Sequence, residues 1–454
     1  MSQAEQLARA AKEAFDAAQL LENGSQERIN ALRLVRETLA AAKADILHAN
    51  SLDMEAARDL VAQGKLSSSL VKRLDLQSSP TKFDEMLQGV QDVANLPDPA
   101  GQTTYASRLD DGLDLYRVTC PIGVLLVIFE ARPEVIVNIT SLAIKSGNAA
   151  ILKGGKESLH TQNIMTRLIQ AALRQTAIPP AYIQTVATRQ EIADLLNQDR
   201  YIDLVIPRGS GELVRSIQSS TKIPVMGHAD GICCAYLDAQ ADITKAARVI
   251  VDSKISYPAA CNALETLVLH QDTLAVLWPA VAKALLEVGV TLHCDPASLS
   301  AITDLTSQYT NLVVPAEDAD YDMEFLSLDL AVIVVPDMLS AISHINEHSS
   351  KHTNTIITEN EIHAKQFCRA IDAAGVFVNA STRFADGFRY GFGTEVGIST
   401  GKTHARGPVG LEGLMIYKYV LQSRDGQGHV TAEFGGKNGK QYLHQKLPLA
   451  GGIL

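Results

Sequence analysis

One cysteine has the neighbours that a nucleophile would need. Cys261 stands in the stretch Tyr257-Pro-Ala-Ala-Cys-Asn-Ala263, just before an apolar segment that predicts a strand. Small side chains on both sides leave room for a substrate to approach a thiolate, which is the reactive form of cysteine. A buried structural cysteine in a tight turn would show the same pattern. The residues alone therefore allow a catalytic and a structural interpretation.

Two glycine-containing junctions between a predicted strand and a predicted helix could bind an anion. They are Lys153-Gly154-Gly155-Lys156 and Arg208-Gly209-Ser210-Gly211. Glycine lets a ligand approach the backbone, basic side chains supply charge, and helix N-termini favour phosphate. Neither segment is a GxGxxG or Walker A loop, so ordinary connecting loops with solvated cations remain the alternative.

Three histidines suggest a metal site at first. His344, His348 and His352 recur every four residues, and the first two could share a helix face. The pair Ser349-Ser350 predicts that the helix ends before His352, and zinc would need a third or fourth ligand in a defined geometry. A capping or hydrogen-bonding role is therefore favoured, and no metal is expected.

A segment near the C-terminal end is rich in glycine, aromatic residues and arginine. Within residues 380–410, Arg383, Arg389, Lys402 and Arg406 outnumber the acidic residues by two charges. Long loop segments of this kind are usually functional, and arginine binds carboxylate and phosphate groups well. The segment is either a clamp for an anionic substrate or a surface loop whose cations pair with acidic residues elsewhere.

The elements that must position these residues follow from hydrophobic periodicity. Apolar residues at helical spacing predict helices over the first hundred residues, and Asp110-Asp111-Gly112 between two short runs predicts a β-hairpin. From Ile122 onward, strands and helices alternate, which favours parallel sheets with helices on both faces. A last strand is expected near residues 430–434. The other predicted strands are 122–129, 149–153, 183–187, 202–207, 232–237, 265–269, 331–335, 355–358 and 376–379.

Length and composition exclude several classes of protein. The chain has 454 residues, a net charge of −11 and 46% hydrophobic residues. Such composition is typical of globular domains and excludes disorder, while the acidic balance argues against nucleic acid as a partner. No apolar run approaches the roughly 20 residues of a membrane span. Six cysteines without a CxxC motif favour a reducing cytoplasm over a disulfide framework.

Several long motifs resemble one known family. The runs Gly123–Pro133, Ser146–Lys156, Val376–Gly397 and His404–Gly410 closely resemble the γ-glutamyl phosphate reductase family of the aldehyde dehydrogenase superfamily, and the resemblance covers nearly the whole chain. It implies an α/β fold with two doubly wound domains and a small β oligomerisation arm. The implied division is an NADP-binding domain from 1–102 and 122–230, a catalytic domain from 231–410, and an arm with a C-terminal tail from 103–121 and 411–454.

The resemblance also implies an activity. Members reduce L-glutamyl 5-phosphate with NADPH to L-glutamate 5-semialdehyde and release phosphate, in the second step of proline biosynthesis. A homo-oligomer is expected, with a possible functional association with glutamate 5-kinase. Two alternatives stay open: a hydrolytic NAD-dependent aldehyde dehydrogenase, and a non-catalytic assembly protein on the same fold.

Specific residues match positions at which this superfamily carries functional groups. Cys261 matches the nucleophile, Lys153 the lysine near the adenosine ribose, and Glu324 the glutamate that holds the nicotinamide ribose. Gly209 and Ser210 match the pair at the cofactor pyrophosphate. The expected oxyanion ligands are Asn262 and Arg132, the expected cofactor residues also include Gly154, Gly155, Lys156 and Arg208, and the expected substrate ligands are Arg383, Arg389 and Arg406.

Two departures from the superfamily pattern are informative. The general-base glutamate of ordinary aldehyde dehydrogenases aligns around Gly227-His228, where no glutamate is present. A hydrolytic enzyme needs that base to activate water against its thioester, whereas a reductase of an acyl phosphate does not. The second departure is Asn354, which stands at a position that the family usually gives to an acid. Asn379, in contrast, lies in the superfamily's motif after the last catalytic-domain strand.

Overall fold

The computed structural model describes residues 2–63, 71, 73–130, 132–186, 188–424, 426–435 and 439–449. Its helices are α1 (Gln3–Gln19), α2 (Gly24–Ala41), α3 (Lys43–Ala62), α4 (Lys82–Asn95), α5 (Val135–Ser146), α6 (Leu159–Leu173), α7 (Arg189–Leu195), α8 (Gly211–Ser220), α9 (Ile243–Ile255), α10 (Leu277–Glu287), α11 (Pro296–Ala301), α12 (Thr303–Thr306), α13 (Met338–His348) and α14 (Glu361–Ala370). Its strands are β1 (Thr103–Asp110), β2 (Leu113–Pro121), β3 (Val124–Phe129), β4 (Ala149–Lys153), β5 (Ile183–Thr185), β6 (Leu204–Arg208), β7 (Cys233–Leu237), β8 (Leu264–His270), β9 (Thr291–Cys294), β10 (Val313–Pro315), β11 (Asp329–Val335), β12 (Thr353–Ile357), β13 (Gly375–Val378), β14 (Gly397–Ser399), β15 (Gly407–Val409), β16 (Met415–Ser423) and β17 (Gln445–Lys446).

The first sheet has four parallel strands in the order β5-β4-β3-β6. All six residues of β3 are buried, as expected for a strand covered by helices on both faces. The strand order reverses between β4 and β6 on either side of β3, and in open α/β sheets such a reversal opens a ligand crevice at the carboxyl ends of the strands. The loops that carry Arg132 and Gly209 leave the sheet at these ends.

The second sheet has seven parallel strands in the order β10-β9-β11-β8-β7-β12-β13. Its core is apolar and includes Trp278 and Leu267, both fully buried. The short strands β9 and β10 at one edge were not predicted from the sequence, because three or four residues carry too little periodicity to separate a strand from a loop. The two parallel sheets confirm the expected α/β fold class.

The third sheet is antiparallel, in the order β16-β2-β1-β17. The predicted hairpin is present, and Gly112 at its turn has a φ of 72°. The strand expected near residues 430–434 is wrong: Thr431–Glu433 form a short 3-10 helix. Strand β17 pairs with β1 and β16 pairs with β2 along its whole length, so both edges of the hairpin are occupied by other segments.

The core does not follow the expected domain limits at one place. Val396, Val409 and Leu411 pack in the core of the first sheet, although they fall inside or just beyond the expected catalytic segment 231–410. This return of the chain brings the arginine-rich loop alongside the crevice of the first sheet. Among the described residues, no helix combines the length and the apolar character that crossing a membrane requires.

Candidate active site

Cys261 lies in a turn between α9 and β8 and is partly exposed. The helix before it and the strand after it are joined by an ion pair between Lys254 and Glu265, whose Nζ and Oε2 atoms are 2.6 Å apart. Both side chains are fully buried, and Lys254 Nζ also donates to the Leu264 carbonyl at 2.8 Å. The turn that carries the thiol is therefore tied at both of its ends.

The thiol of Cys261 has a histidine as a polar neighbour, and no sequence pattern connects the two residues. His352 Nε2 lies 3.4 Å from Cys261 Sγ, and the histidine side chain is almost completely buried. His352 Nδ1 lies 3.0 Å from the hydroxyl of Thr353. When Nδ1 carries the proton and donates to that hydroxyl, Nε2 is free to accept the proton of the thiol. No spacing rule links two positions this far apart in the chain.

A second histidine completes the cluster. The ring centroids of His228 and His352 are 5.1 Å apart with an interplanar angle of 83°. His228 Nδ1 lies 2.9 Å from the carbonyl oxygen of Ile398. The segment Gly227-His228, where the resemblance predicts no general-base glutamate, thus carries an imidazole close to Cys261.

The topology of the second sheet explains why these three residues meet. Cys261, His228 and His352 each stand a few residues before a strand, namely β8, β7 and β12. These strands are direct neighbours in the order β8-β7-β12. Because the strands are parallel, their amino ends lie at one edge of the sheet. The cluster therefore lies at the amino ends of these three strands of the second sheet.

The regularly spaced histidines do not form one site. His344 and His348 are ring neighbours with centroids 4.4 Å apart, and His348 Nδ1 lies 2.9 Å from Asp322 Oδ1. Burial, followed by the nearby His348, lowers the pKa of His344 to about 4. His352 instead belongs to the cluster around Cys261. The helix ends at His348, as the two following serines predicted.

Two of the predicted arginines lie on the catalytic side of the crevice. Arg208, at the end of β6, interacts electrostatically with Arg132, Glu395 and Cys261. Burial and then the charge of Arg132 lower the pKa of Arg208, but a guanidinium keeps its proton in proteins. The resemblance predicts that Arg208 binds the cofactor, and these interactions connect it electrostatically with residues around Cys261 as well.

Arg383 lies in the loop that follows β13 and packs near Tyr257. Its side chain is 9% exposed, and its Nε is buried without a hydrogen-bond partner among the residues that the structure describes. Its guanidinium lies 5.9 Å from the ring centroid of Tyr257, and the neighbouring Arg389 donates to its carbonyl oxygen. Burial, and then Arg389, lower the pKa of Arg383, while Cys261 acts in the opposite direction.

Arg406 has a different position from the other predicted substrate ligands. Its Nη2 lies 2.9 Å from Asp372 Oδ1, and Lys402 Nζ lies 2.8 Å from Asp372 Oδ2. These ion pairs, led by Lys402, hold the pKa of Asp372 well below its usual range. Arg406 therefore anchors its loop to Asp372, and the described contacts do not bring it to Cys261.

The junction after β4 is closely packed around its glycines. A Cβ atom on Gly154 would lie 2.1 Å from Gln162 Nε2. That amide donates to the Gly155 carbonyl at 2.8 Å and to the Ser158 hydroxyl at 2.6 Å. The two glycines are buried, and Lys156 is exposed. The loop therefore places an exposed cation just after the carboxyl end of β4.

The junction after β6 begins a helix beside a carboxylate. The hydroxyl of Ser210 caps α8 by accepting from the Leu213 N–H, and a Cβ atom on Gly209 would lie 2.5 Å from Glu130 Oε2. Glu130 also accepts from the backbone N–H of Ser210 at 3.3 Å. The helix N-terminus thus already faces an anionic group, which is the charge that its dipole favours.

Glu324 is hydrogen-bonded to Gly231, which packs against the backbone of Cys261. It accepts from the Gly231 N–H at 2.9 Å. A Cβ atom on Gly231 would lie 2.2 Å from the Cys261 carbonyl oxygen, so only glycine allows this close approach of the two loops. Burial raises the pKa of Glu324, and the Gly231 N–H acts in the opposite direction.

Three asparagines noted in the sequence hold the backbone of the site. Asn262 Nδ2 donates to the Ala385 carbonyl at 2.9 Å, so its amide anchors the arginine-rich loop. Asn354 Oδ1 accepts from the Cys234 N–H, and Asn379 bonds both the N–H and the carbonyl of Thr358. An asparagine at position 354 therefore joins β12 to β7 as a neutral acceptor.

Comparison with known proteins agrees with this architecture. A model of the aldehyde dehydrogenase family matches residues 1–301. The chain is 54% identical to the probable γ-glutamyl phosphate reductase of Schizosaccharomyces pombe, covering 95% of this chain and 94% of the relative. It is 48% identical to the γ-glutamyl phosphate reductase of Saccharomyces cerevisiae, covering 99% of each chain.

Solved structures show the same relationship. The crystal structure of γ-glutamyl phosphate reductase from Thermotoga maritima matches with a TM-score of 0.86 and 36% identity, covering 92% of this chain and 98% of that one. An engineered glycolyl-CoA reductase with bound NADP⁺ matches with a TM-score of 0.63 at 16% identity, covering 92% and 96%, and shares the fold. The chain belongs to the aldehyde dehydrogenase family and, within it, to the γ-glutamyl phosphate reductases.

Proposed function

We propose that this enzyme reduces L-glutamyl 5-phosphate with NADPH to L-glutamate 5-semialdehyde, with release of phosphate, through a thioester on Cys261. The observation that carries the proposal is the contact of 3.4 Å between Cys261 Sγ and His352 Nε2. The names of the relatives identify the acyl phosphate as the substrate.

The Cys261–His352 pair supplies the nucleophile and manages its proton. His352 takes the proton of the thiol, and the thiolate attacks the acyl carbonyl. Loss of phosphate from the tetrahedral adduct gives the thioester, and the imidazolium returns its proton to the departing phosphate. After reduction, collapse of the hemithioacetal releases the aldehyde and restores the thiolate. One proton from solvent then returns the pair to its starting state.

The two arginines nearest the thiol have separate tasks in this proposal. Arg208, with Arg132 beside it, receives the phosphate group and stabilises the charge that develops as phosphate leaves. Arg383, whose buried Nε is without a partner among the described residues, receives the carboxylate of the glutamyl chain. Arg389 supports it from the loop surface. Asn262 acts by holding this loop, since its amide is bonded to Ala385.

The residues at the crevice fit a nicotinamide dinucleotide. Lys153 and Lys156 with the buried glycines between them suit the adenosine side, and the N-terminus of α8 at Gly209 and Ser210 suits the pyrophosphate. A bound pyrophosphate would take over the N–H that Ser210 donates to Glu130. Glu324 can accept from ribose hydroxyls. When bound, the cofactor supplies the hydride that reduces the thioester.

The reverse reaction tests the proposal. The enzyme is given pyrroline carboxylate, which is in equilibrium with the semialdehyde, together with NADP⁺ and phosphate, and NADPH formation is followed. Phosphate-dependent NADPH formation is expected. It should disappear in Cys261→Ala and persist in Cys368→Ala, a matched control because Cys368 is an exposed thiol. Turnover in Cys261→Ala would overturn the mechanism.

The same assay separates the alternatives. Aldehyde oxidation that does not need phosphate would favour a hydrolytic aldehyde dehydrogenase, with His228 in the place of its base. No signal under any condition would favour a non-catalytic protein. We further propose a cytoplasmic homo-oligomer, in which the exposed Tyr417 and Tyr419 of β16 form part of the contact, and a functional association with glutamate 5-kinase.

A further inference from the structure

The cluster at the nucleophile has the composition of a zinc site. One ligand atom each from His228, Cys261 and His352 lie within 4.8 Å of one another, and across the described part of the chain this is the one such group of three histidine, cysteine or acidic side chains. We propose that these residues form a three-ligand Zn²⁺ site, and that bound Zn²⁺ reversibly inhibits the enzyme by taking the Cys261 thiolate as a ligand.

The distances suit tetrahedral coordination. Zn–S bonds of about 2.3 Å and Zn–N bonds of about 2.0–2.1 Å at a tetrahedral angle require S and N to be about 3.6 Å apart. The observed separation between Cys261 Sγ and His352 Nε2 is 3.4 Å. The remaining ligand pairs lie within 4.8 Å, so the side chains must move closer together to complete a tetrahedral site.

Both imidazoles are oriented as metal ligands usually are. His228 Nδ1 faces a carbonyl oxygen, that of Ile398, at 2.9 Å. A carbonyl can only accept, so Nδ1 carries a proton, and Nε2 is the nitrogen that remains to bind a metal in the neutral ring. His352 Nδ1 is likewise held by the Thr353 hydroxyl. Metal-binding histidines are typically fixed in this way through the ring nitrogen that does not bind the metal.

The backbone holds the ligands before any ion arrives. Ile232 N donates to the Ser350 hydroxyl at 2.8 Å, and Ser350 N donates to the Ile232 carbonyl at 3.1 Å. These bonds join the segment that follows His228 to the segment that precedes His352. Gly231 packs directly on the backbone of Cys261. The three ligands therefore belong to loops that are already fixed to one another.

The chemistry of inhibition is a simple exchange. Zn²⁺ displaces the proton of the Cys261 thiol, which is released to solvent, and the new Zn–S bond ties up the electron pair that would attack the substrate. No oxidant is involved, so a chelator reverses the exchange. Three protein ligands leave a fourth position for water or an anion. Binding is independent of the proposed function; only its inhibitory effect rests on it.

Metal titration of the full-length, metal-free enzyme tests the site. We expect one equivalent of Co²⁺ to produce the ligand-to-metal charge-transfer band of a cobalt–thiolate bond, and one equivalent of Zn²⁺ to displace it. The band should vanish in Cys261→Ser. In His228→Ala the affinity for Zn²⁺ should fall at least about tenfold. His48→Ala is the matched control, because His48 is an exposed histidine on α3, and its affinity should equal that of wild type.

A second measurement uses the wild-type chain alone. Zn²⁺ should slow alkylation of Cys261 by iodoacetamide, and EDTA should restore the rate together with turnover. Equal affinity for Zn²⁺ in His228→Ala and wild type, or the absence of the cobalt–thiolate band, would overturn the site. If metal-free enzyme shows no turnover, the proposed function fails, while the titration still decides the metal site because it needs no substrate.

Discussion

The buried ion pair between Lys254 and Glu265, at the two ends of the turn that carries Cys261, allows a quantitative prediction. Lys254 and Glu265 are both completely buried, and burial raises the pKa of Glu265 to about 7 even with its partner present. Replacing Lys254 by methionine keeps most of the volume but leaves the carboxyl group with only the Leu326 N–H, at 3.4 Å. We expect the carboxyl group of this variant to become protonated in the folded state, because an unpaired buried carboxylate is far more costly.

The cost of that protonation sets the magnitude. In the unfolded chain the carboxyl group titrates near its ordinary value of 4.5. At pH 7.5 the folded variant must therefore hold a proton three units above that value, which costs about 4 kcal/mol relative to a chain that lacks this carboxyl group, at about 1.36 kcal/mol per unit. The folded-state pKa is raised, so stability is lost as the pH rises from 4.5. At pH 5.5 the same cost is only about 1.4 kcal/mol.

Urea unfolding followed by tryptophan fluorescence measures this effect where it occurs. Trp278 is the only tryptophan of the chain and is fully buried in the core of the second sheet. The matched control is Lys254→Met combined with Glu265→Leu, which removes both charges. Its stability should lie within about 1 kcal/mol of wild type or above it, because well-packed apolar residues often replace a buried ion pair without loss.

Two results would refute this reasoning. The first is that Lys254→Met and the double variant unfold at the same urea concentration, which would mean that the unpaired carboxyl group carries no cost. The second is that the difference in stability between Lys254→Met and the double variant does not shrink between pH 7.5 and pH 5.5. Either result would show that Glu265 reaches solvent or another partner when Lys254 is removed.

Three further predictions concern the site and its surroundings. His352→Asn should lower kcat/KM by about 10²–10⁴-fold with unchanged tryptophan emission; steady-state kinetics showing less than a tenfold loss would remove His352 from its role. Gly231→Ala would set a Cβ atom 2.2 Å from the Cys261 carbonyl oxygen, and we expect about 100-fold slower turnover from the displaced thiol, so full activity would contradict the contact. Asp372→Asn should lower stability near pH 7 by on the order of 1 kcal/mol. Because Lys402 and its neighbours lower the pKa of Asp372, the wild-type advantage is present above the ordinary carboxyl pKa and should vanish in acid unfolding as the pH falls below it.

The sequence predicted the architecture well where the pattern was local. The continuously apolar β3 and the hairpin at Gly112 both depend on residues close together in the chain, and each is present. The strands β9 and β10 were missed because three or four residues are too few to show a strand periodicity. The prediction of a strand near residues 430–434 was wrong, because an alternating pattern does not show whether a sheet edge is free to pair with that segment.

For the candidate site, too, the sequence predicted what depends on local segments and missed what depends on their arrangement in space. Residue types and motifs singled out Cys261, the two glycine-containing junctions and the arginine-rich loop, because each is a contiguous segment. The sequence did not separate Arg383, which has no ion pair among the described residues, from Arg406, which is paired with Asp372. That choice depends on where an acidic partner lies in space, and net charge or local composition carries no information about it.

What the sequence determined by itself was the family and the alternation of strands and helices, and it singled out Cys261 as the thiol of the proposed mechanism. Only the tertiary structure joined Cys261 to His352 and His228. These residues are remote in the chain and meet because β8, β7 and β12 are parallel neighbours whose amino ends share one edge of the sheet. Strand order results from packing of the whole sheet, so the partners of the nucleophile could not be read from any local pattern.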